Sequence, residues 1–192
     1  MSANNHLFGQ TLDWLLQPDL PSVRFLALRD LLDRPADDPE LQAAHLAAHQ
    51  QGSIPKILSH MDPAGFWQRP GAGYGPKYRS TVWSILLLAQ LGASIHLDER
   101  IARACDYLLE NALAPGGQFS YSGAPSGTID CLQGNLCWAL NELGCQDPRL
   151  DTAFEWMART VTGEGIAPAS DKKAALRYSA YQCGPNFACG AN

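Results

Sequence analysis

A chain of 192 residues with 46% hydrophobic content is long enough for one packed domain and too apolar for a disordered segment. Its net charge of −5 gives no general attraction to nucleic acid, and the absence of any long run of like charge excludes a polybasic arm or an acidic tail. The opening MSANNHLFGQ has neither a basic start nor an apolar stretch, and the longest apolar run, residues 85–89, is far too short to span a bilayer. The expectation is a soluble cytoplasmic protein with no transmembrane segment, whose six cysteines are free thiols or metal ligands rather than disulfides.

In chain order, residues 11–16 read as a short apolar helix broken by Pro18 and Pro21. Ser22 is placed to cap the next helix, whose stripe is Val23, Leu26, Leu28, Leu31 and Leu32. Asp38-Pro39-Glu40 starts a third helix with an acidic cap and Pro in the first turn. That helix, 39–51, is weakly apolar and belongs at the periphery; Gly52-Ser53 closes it, and Ser53 caps a short helix over 54–61. Residues 62–79 form a loop with four Gly and three Pro in eighteen residues, long for a plain connector and of the kind that carries function. The following helix, 80–91, is apolar nearly all round, which predicts burial on most sides with Leu87 in the core.

Asp98 caps the next helix, striped by Ile101, Cys105, Leu108, Leu109 and Ala112. A second Gly/Pro/Ser loop over 114–127 leads into a helix over 128–143 that Gly144 stops. Asp147-Pro148 starts one more, from which Leu150, Phe154, Met157 and Val161 should face inward. Residues 172–182 suggest a last short helix before CGPNFACGAN. No strand pattern of any length appears, so the fold class is all-α.

Two stretches repeat. Gly65, Trp67 and Leu91-Gly92 recur as Gly117, Phe119 and Leu143-Gly144, 52 residues later. Ala104, Asp106 and Tyr107 recur as Ala153, Glu155 and Trp156, 49 residues later. A unit of helix, Gly-rich loop and helix near 50 residues long means stacked hairpins with a shared core. The boundaries read as an N-terminal helical segment over 1–53 and a repeat region of about three units over 54–192. By the logic of the repeat an apolar helix should follow Asn192, so the array is expected to be completed by further C-terminal repeats or by self-association.

This pattern of Gly-aromatic turn, loop, apolar helix and Leu-Gly stop resembles the repeats of squalene-hopene cyclases and protein prenyltransferases, over residues 54–161. The resemblance implies an (α/α) toroid, here incomplete, whose inner helices line a cavity that binds or cyclises an isoprenoid or other apolar substrate. Trp83, Trp138 and Tyr121 would then stabilise cationic intermediates with their π faces. The Asp-x-Asp-Asp acid of the cyclases has no counterpart in this sequence.

The residues themselves offer three further sites. Tyr74, Lys77, Tyr78 and Arg79 form a compact basic-aromatic group before an inner helix, where Lys77 and Arg79 could bind a diphosphate or carboxylate and Tyr78 and Arg79 join the candidate substrate-binding set; the alternative is a solvated loop with aromatics on its rim. Asp130 and Cys131 stand in a first turn, where the helix terminus favours carboxylate and thiolate. In the prenyltransferases an Asp and a Cys at such a position, with a later His, hold zinc; no His follows Cys131 here. Stacking of successive repeats would bring Cys183 and Cys189 to the same face, making Asp130, Cys131, Cys183 and Cys189 a candidate zinc set. The alternative is a helix cap and structural cysteines, and Cys105, Cys137 and Cys145 read as core. Two functions stay open: an enzyme of the terpene cyclase or prenyltransferase type, or a non-catalytic helical repeat domain that binds a partner, with a structural zinc.

Overall fold

In a computed structural model, which describes residues 2–168, 170–174 and 176, the chain is all-α. The elements are α1 (Ser2–Leu15), α2 (Pro21–Leu26) running into a π turn (Ala27–Leu31), α3 (Pro39–Gln50), α4 (Ser53–Leu58), α5 (Thr81–Gln90), α6 (Glu99–Ala112), α7 (Asp130–Glu142) and α8 (Pro148–Thr162). Among the described residues β structure is limited to isolated bridges, such as Leu113 with Phe119 and Ser120 with Thr128. No helix there is long and apolar enough to cross a membrane. The expected helix over 172–182 falls largely outside the described residues.

The Asp caps form as expected. Asp38 accepts from the N–H groups of Glu40 and Leu41, Asp98 from Arg100, and Asp147 from Arg149. The serine caps do not. Pro21 opens α2 ahead of Ser22, whose hydroxyl is buried without a hydrogen-bond partner. Gly52, at φ 82°, takes the cap position that Ser53 was expected to fill. Asp130 is not a cap either: Ile129 holds that position and Asp130 begins α7.

The packing repeats as the sequence does. Helix α6 buries Ile101, Ala104, Cys105, Leu108, Leu109 and Ala112 on one face, so it lies outside, with its polar face to water. Helices α5 and α7 pack on one another. The loops before them meet where Tyr74 and Tyr121 lie 6.3 Å apart. The turns after them meet where Ile95 N–H donates to the Leu143 carbonyl at 3.0 Å. Heads beside heads and tails beside tails make α5 and α7 parallel neighbours, with α6 as the crossover between them. Ile85, Leu88, Ile101, Leu108, Leu136, Leu140 and Leu143 fill the core they enclose.

Equivalent positions make equivalent contacts. Trp67 N–H donates to the Thr81 hydroxyl at 3.1 Å, and 52 residues on Phe119 N–H donates to Gln133 Oε1 at 2.8 Å. Both inner helices end in the same left-handed elbow: Gly92 at φ 74° with Ala93 N–H bonded to Leu88 O, and Gly144 at φ 89° with Cys145 N–H bonded to Leu140 O. A smaller cluster of Phe25, Leu28, Leu41 and Ala44 joins α2 to the peripheral α3. Arg29 ties this end to α7 through an ion pair with Glu142 at 2.7 Å.

Two inward assignments are corrected. Leu87 is 44% exposed, because the neighbours of α5 cover the faces bearing Val82, Ile85 and Leu88 and leave the side of Leu87 and Gln90 open. On α8, Phe154 and Val161 are exposed, and the buried stripe is Leu150, Ala153 and Trp156. A Cβ on Gly117 would lie 2.8 Å from the Thr152 carbonyl. That close approach of the Gly117 turn fixes which face of α8 points inward.

Candidate functional site

The long loop between α4 and α5 is held by its own backbone. Asp62 N–H donates to Phe66 O at 2.8 Å, and Trp67 lies buried with its indole N–H on Ile57 O at 2.9 Å. At the far end the Ser80 hydroxyl lies 2.7 Å from Gly73 O and 2.9 Å from Pro76 O. It therefore stitches the loop to the head of α5 rather than capping the helix. Tyr78, just before, sits at φ 66°, a left-handed conformation that costs a non-Gly residue of order 1 kcal/mol and is kept only where surrounding bonds enforce it.

These bonds aim a cluster of rings outward. The Trp83 indole N–H donates to the Tyr74 carbonyl at 2.8 Å, and the Tyr74 and Trp83 rings lie 5.6 Å apart. Tyr78 packs on Trp83 from the other side at 5.0 Å, and Tyr121, from the equivalent loop of the next repeat, meets Tyr74 at 6.3 Å. Lys77 Nζ lies 5.7 Å from the centre of the Tyr74 ring, within cation–π range. Tyr78 is 78% exposed and Tyr121 42%. The group is tilted ring against tilted ring, open to water on one side, with the Lys77 and Arg79 side chains exposed beside it.

Of the five residues expected to bind substrate, Trp83, Tyr78 and Tyr121 come together, Arg79 flanks them, and Trp138 stands apart. Trp138 is 44% exposed on α7, at the position equivalent to Leu86 on α5, and among the described residues no ring contact joins it to the cluster. Tyr74 is the hub that sequence reasoning left out of its substrate set; its signal was its place in the aromatic loop leading to Trp83. Leu87 adds a further exposed apolar side chain to α5.

The expected metal ligands are placed only in part. Asp130 and Cys131 lie side by side and exposed on the first turn of α7, whereas Cys183 and Cys189 lie outside the described residues. Among the described residues no group of three or more His, Cys, Asp or Glu side chains could hold a metal. His60 caps the end of α4, its Nδ1 donating to Lys56 O at 2.8 Å. A cavity of about 630 Å³ lies between the end of α6 and α8, lined by Leu109, Leu113, Trp156 and Leu176 with Arg149 and Arg159. It does not include the aromatic cluster. Comparison of the chain with protein-family models, with curated proteins and with solved structures finds no match.

Proposed function

We propose that this chain is a helical-repeat binding domain whose open aromatic face, at the heads of α5 and α7, takes an isoprenoid-like or other apolar chain ending in an anionic group. The single observation that carries the reading is the ring cluster of Tyr74, Trp83, Tyr78 and Tyr121, with Tyr78 and Tyr121 exposed at the heads of helices whose other faces are core. A cluster of exposed aromatic rings is a mark of an interaction surface. Lys77 and Arg79 stand where a diphosphate or carboxylate would neutralise them, and the rings offer apolar area at little entropic cost. Ancestry shared with the (α/α) toroid enzymes belongs to this proposal, and binding, not cyclisation, is the activity it assigns, since the cyclase acid segment has no counterpart in the sequence.

A second reading, a protein partner on the same face, draws on its shape: the rings form an open rim, and Tyr, Trp and Arg are the residues that dominate protein interfaces. Titration of tryptophan fluorescence with farnesyl diphosphate, farnesol and inorganic pyrophosphate separates the two. The ligand reading expects saturable binding of farnesyl diphosphate, weaker binding of farnesol and none of pyrophosphate. Tyr78→Ser should weaken the first about tenfold, the worth of one aromatic contact of about 1.4 kcal/mol. Equal binding of pyrophosphate, or no effect of Tyr78→Ser, would overturn the reading; no binding of any of the three would favour the protein partner.

A further inference from the structure

The two loops that head α5 and α7 hold no acidic residue. The chain carries a net charge of −5, yet no Asp or Glu occurs between Asp62 and Asp98 or between Glu110 and Asp130. Three cations stand in the first of these loops instead: Arg69, Lys77 and Arg79, all exposed. Arg69 folds back along the loop, its Nε donating to the Gly75 carbonyl at 3.2 Å. That places it beside Tyr74, whose ring Lys77 Nζ approaches to 5.7 Å. Among the described residues none of the three forms an ion pair, whereas every other described arginine does. The parallel helices α5 and α7 also turn the positive ends of two helix dipoles toward the same face. On an acidic molecule this face is locally cationic.

We propose that the head face docks on an anionic lipid surface, with Arg69, Lys77 and Arg79 on the phosphate headgroups and Tyr78 and Tyr121 at the boundary with the acyl chains. It rests on the same ring cluster as the reading above and gives the apolar ligand a source, the bilayer.

Charge complementarity sets the side of approach. A negative surface repels the chain as a whole, so the acid-free loops must lead. Ring chemistry sets the kind of surface. Tyr and Trp combine an apolar body with a polar tip and favour the membrane–water boundary. A single-stranded nucleic acid offers similar phosphates but needs open ring faces on which its bases stack. Here Tyr74 is met by both Trp83 and Tyr121, and Trp83 by both Tyr74 and Tyr78, at interplanar angles of 51°, 55° and 52°. Rings packed on one another in this tilted way leave no open pair of faces for a base to enter.

The test is flotation of the full chain with vesicles of phosphatidylcholine alone and of phosphatidylcholine with phosphatidylglycerol at about two to one. Binding is expected to the anionic vesicles alone, and high salt should release it. Arg69→Gln and Lys77→Gln should each weaken it about fivefold, and Tyr78→Ser should weaken it as well. Arg34→Gln, which removes a cation already paired with Asp38, should leave it unchanged. Equal binding to both kinds of vesicle, no binding to either, or equal losses for Arg69→Gln and Arg34→Gln would each overturn the proposal. So would binding of a thymidine oligonucleotide that depends on Arg69 while the vesicles are ignored. The vesicles contain no isoprenoid, so the two readings fail separately. Flotation without binding of farnesyl diphosphate would support the docking and retire the ligand; the reverse result would retire the docking.

Discussion

Phe119 and Gln133 hold one another by both backbone groups of the phenylalanine: its N–H donates to Gln133 Oε1 at 2.8 Å, and the Gln133 amide donates to its carbonyl at 2.5 Å. Both residues are buried, so neither peptide group has water to turn to. The Gly-aromatic turn of the second repeat is thereby fixed to the first turns of α7. Gln133→Leu keeps the volume and leaves two buried peptide groups unpaired, at about 1–3 kcal/mol each. Urea unfolding should show a loss of about 2–4 kcal/mol. The equivalent Thr81→Val, which abandons only the Trp67 N–H, should cost about half as much. A loss for Gln133→Leu below about 0.5 kcal/mol would mean the turn does not depend on this bond.

Leu87 and Leu88 are neighbours in sequence and opposites in structure, 44% and 0% exposed. Leu88→Ala should therefore cost about 2–5 kcal/mol by leaving a cavity in the core. Leu87→Ala should cost less than about 1 kcal/mol, since only part of its area leaves water on folding. Comparable losses at both positions would show that the open face of α5 is covered in solution.

This pair also shows how far the fold can be read without coordinates. The repeat, its parallel inner helices and the three Asp caps were legible because glycine turns, Asp-Pro starts and apolar periods are local signals. The exposure of Leu87 was not, because an all-apolar helix carries no period from which to pick its open side. On α8 the stripe Leu150, Phe154, Met157 had nearly the same period as the true one, Leu150, Ala153, Trp156. A contact remote in sequence, the Gly117 turn against Thr152, decided between them. The meeting of Tyr74 with Tyr121 likewise depends on which loops stacking makes neighbours.

Stability should depend on pH through His45. Its ring stacks on Phe25 at 4.1 Å and its Nε2 donates to Gly92 O at 2.8 Å. Burial, more than the nearby His49 and Arg29, holds it below its ordinary value of 6.5, and the Gly92 bond opposes that shift. As pH falls below the unfolded value the unfolded chain takes up a proton that the folded chain refuses. The folded state therefore loses stability through this window and levels off once pH is below the folded value. Urea midpoints from about pH 7.5 to about pH 5 should fall in the wild type and fall less in His45→Phe, which keeps the ring stack without the titration. The same decline in both proteins would place the pH dependence elsewhere.

Two glycines should respond to the same substitution with opposite signs. Gly117 sits at φ 87°, and a Cβ there would lie 2.8 Å from the Thr152 carbonyl oxygen and 3.0 Å from the Thr152 Cβ. Alanine would add left-handed strain to a clash with backbone that cannot step aside, so Gly117→Ala should cost about 2–4 kcal/mol. Gly134 lies exposed in the interior of α7 with nothing within 4 Å of an added Cβ. There alanine removes only the conformational freedom of the unfolded chain, and Gly134→Ala should gain about 0.5–1 kcal/mol. Thermal unfolding of the two variants in parallel reads both signs. A neutral Gly117→Ala would mean that α8 does not press on this turn, and with it would go the reason for the inward face of α8. A destabilising Gly134→Ala would mean that something in solution covers that side of α7.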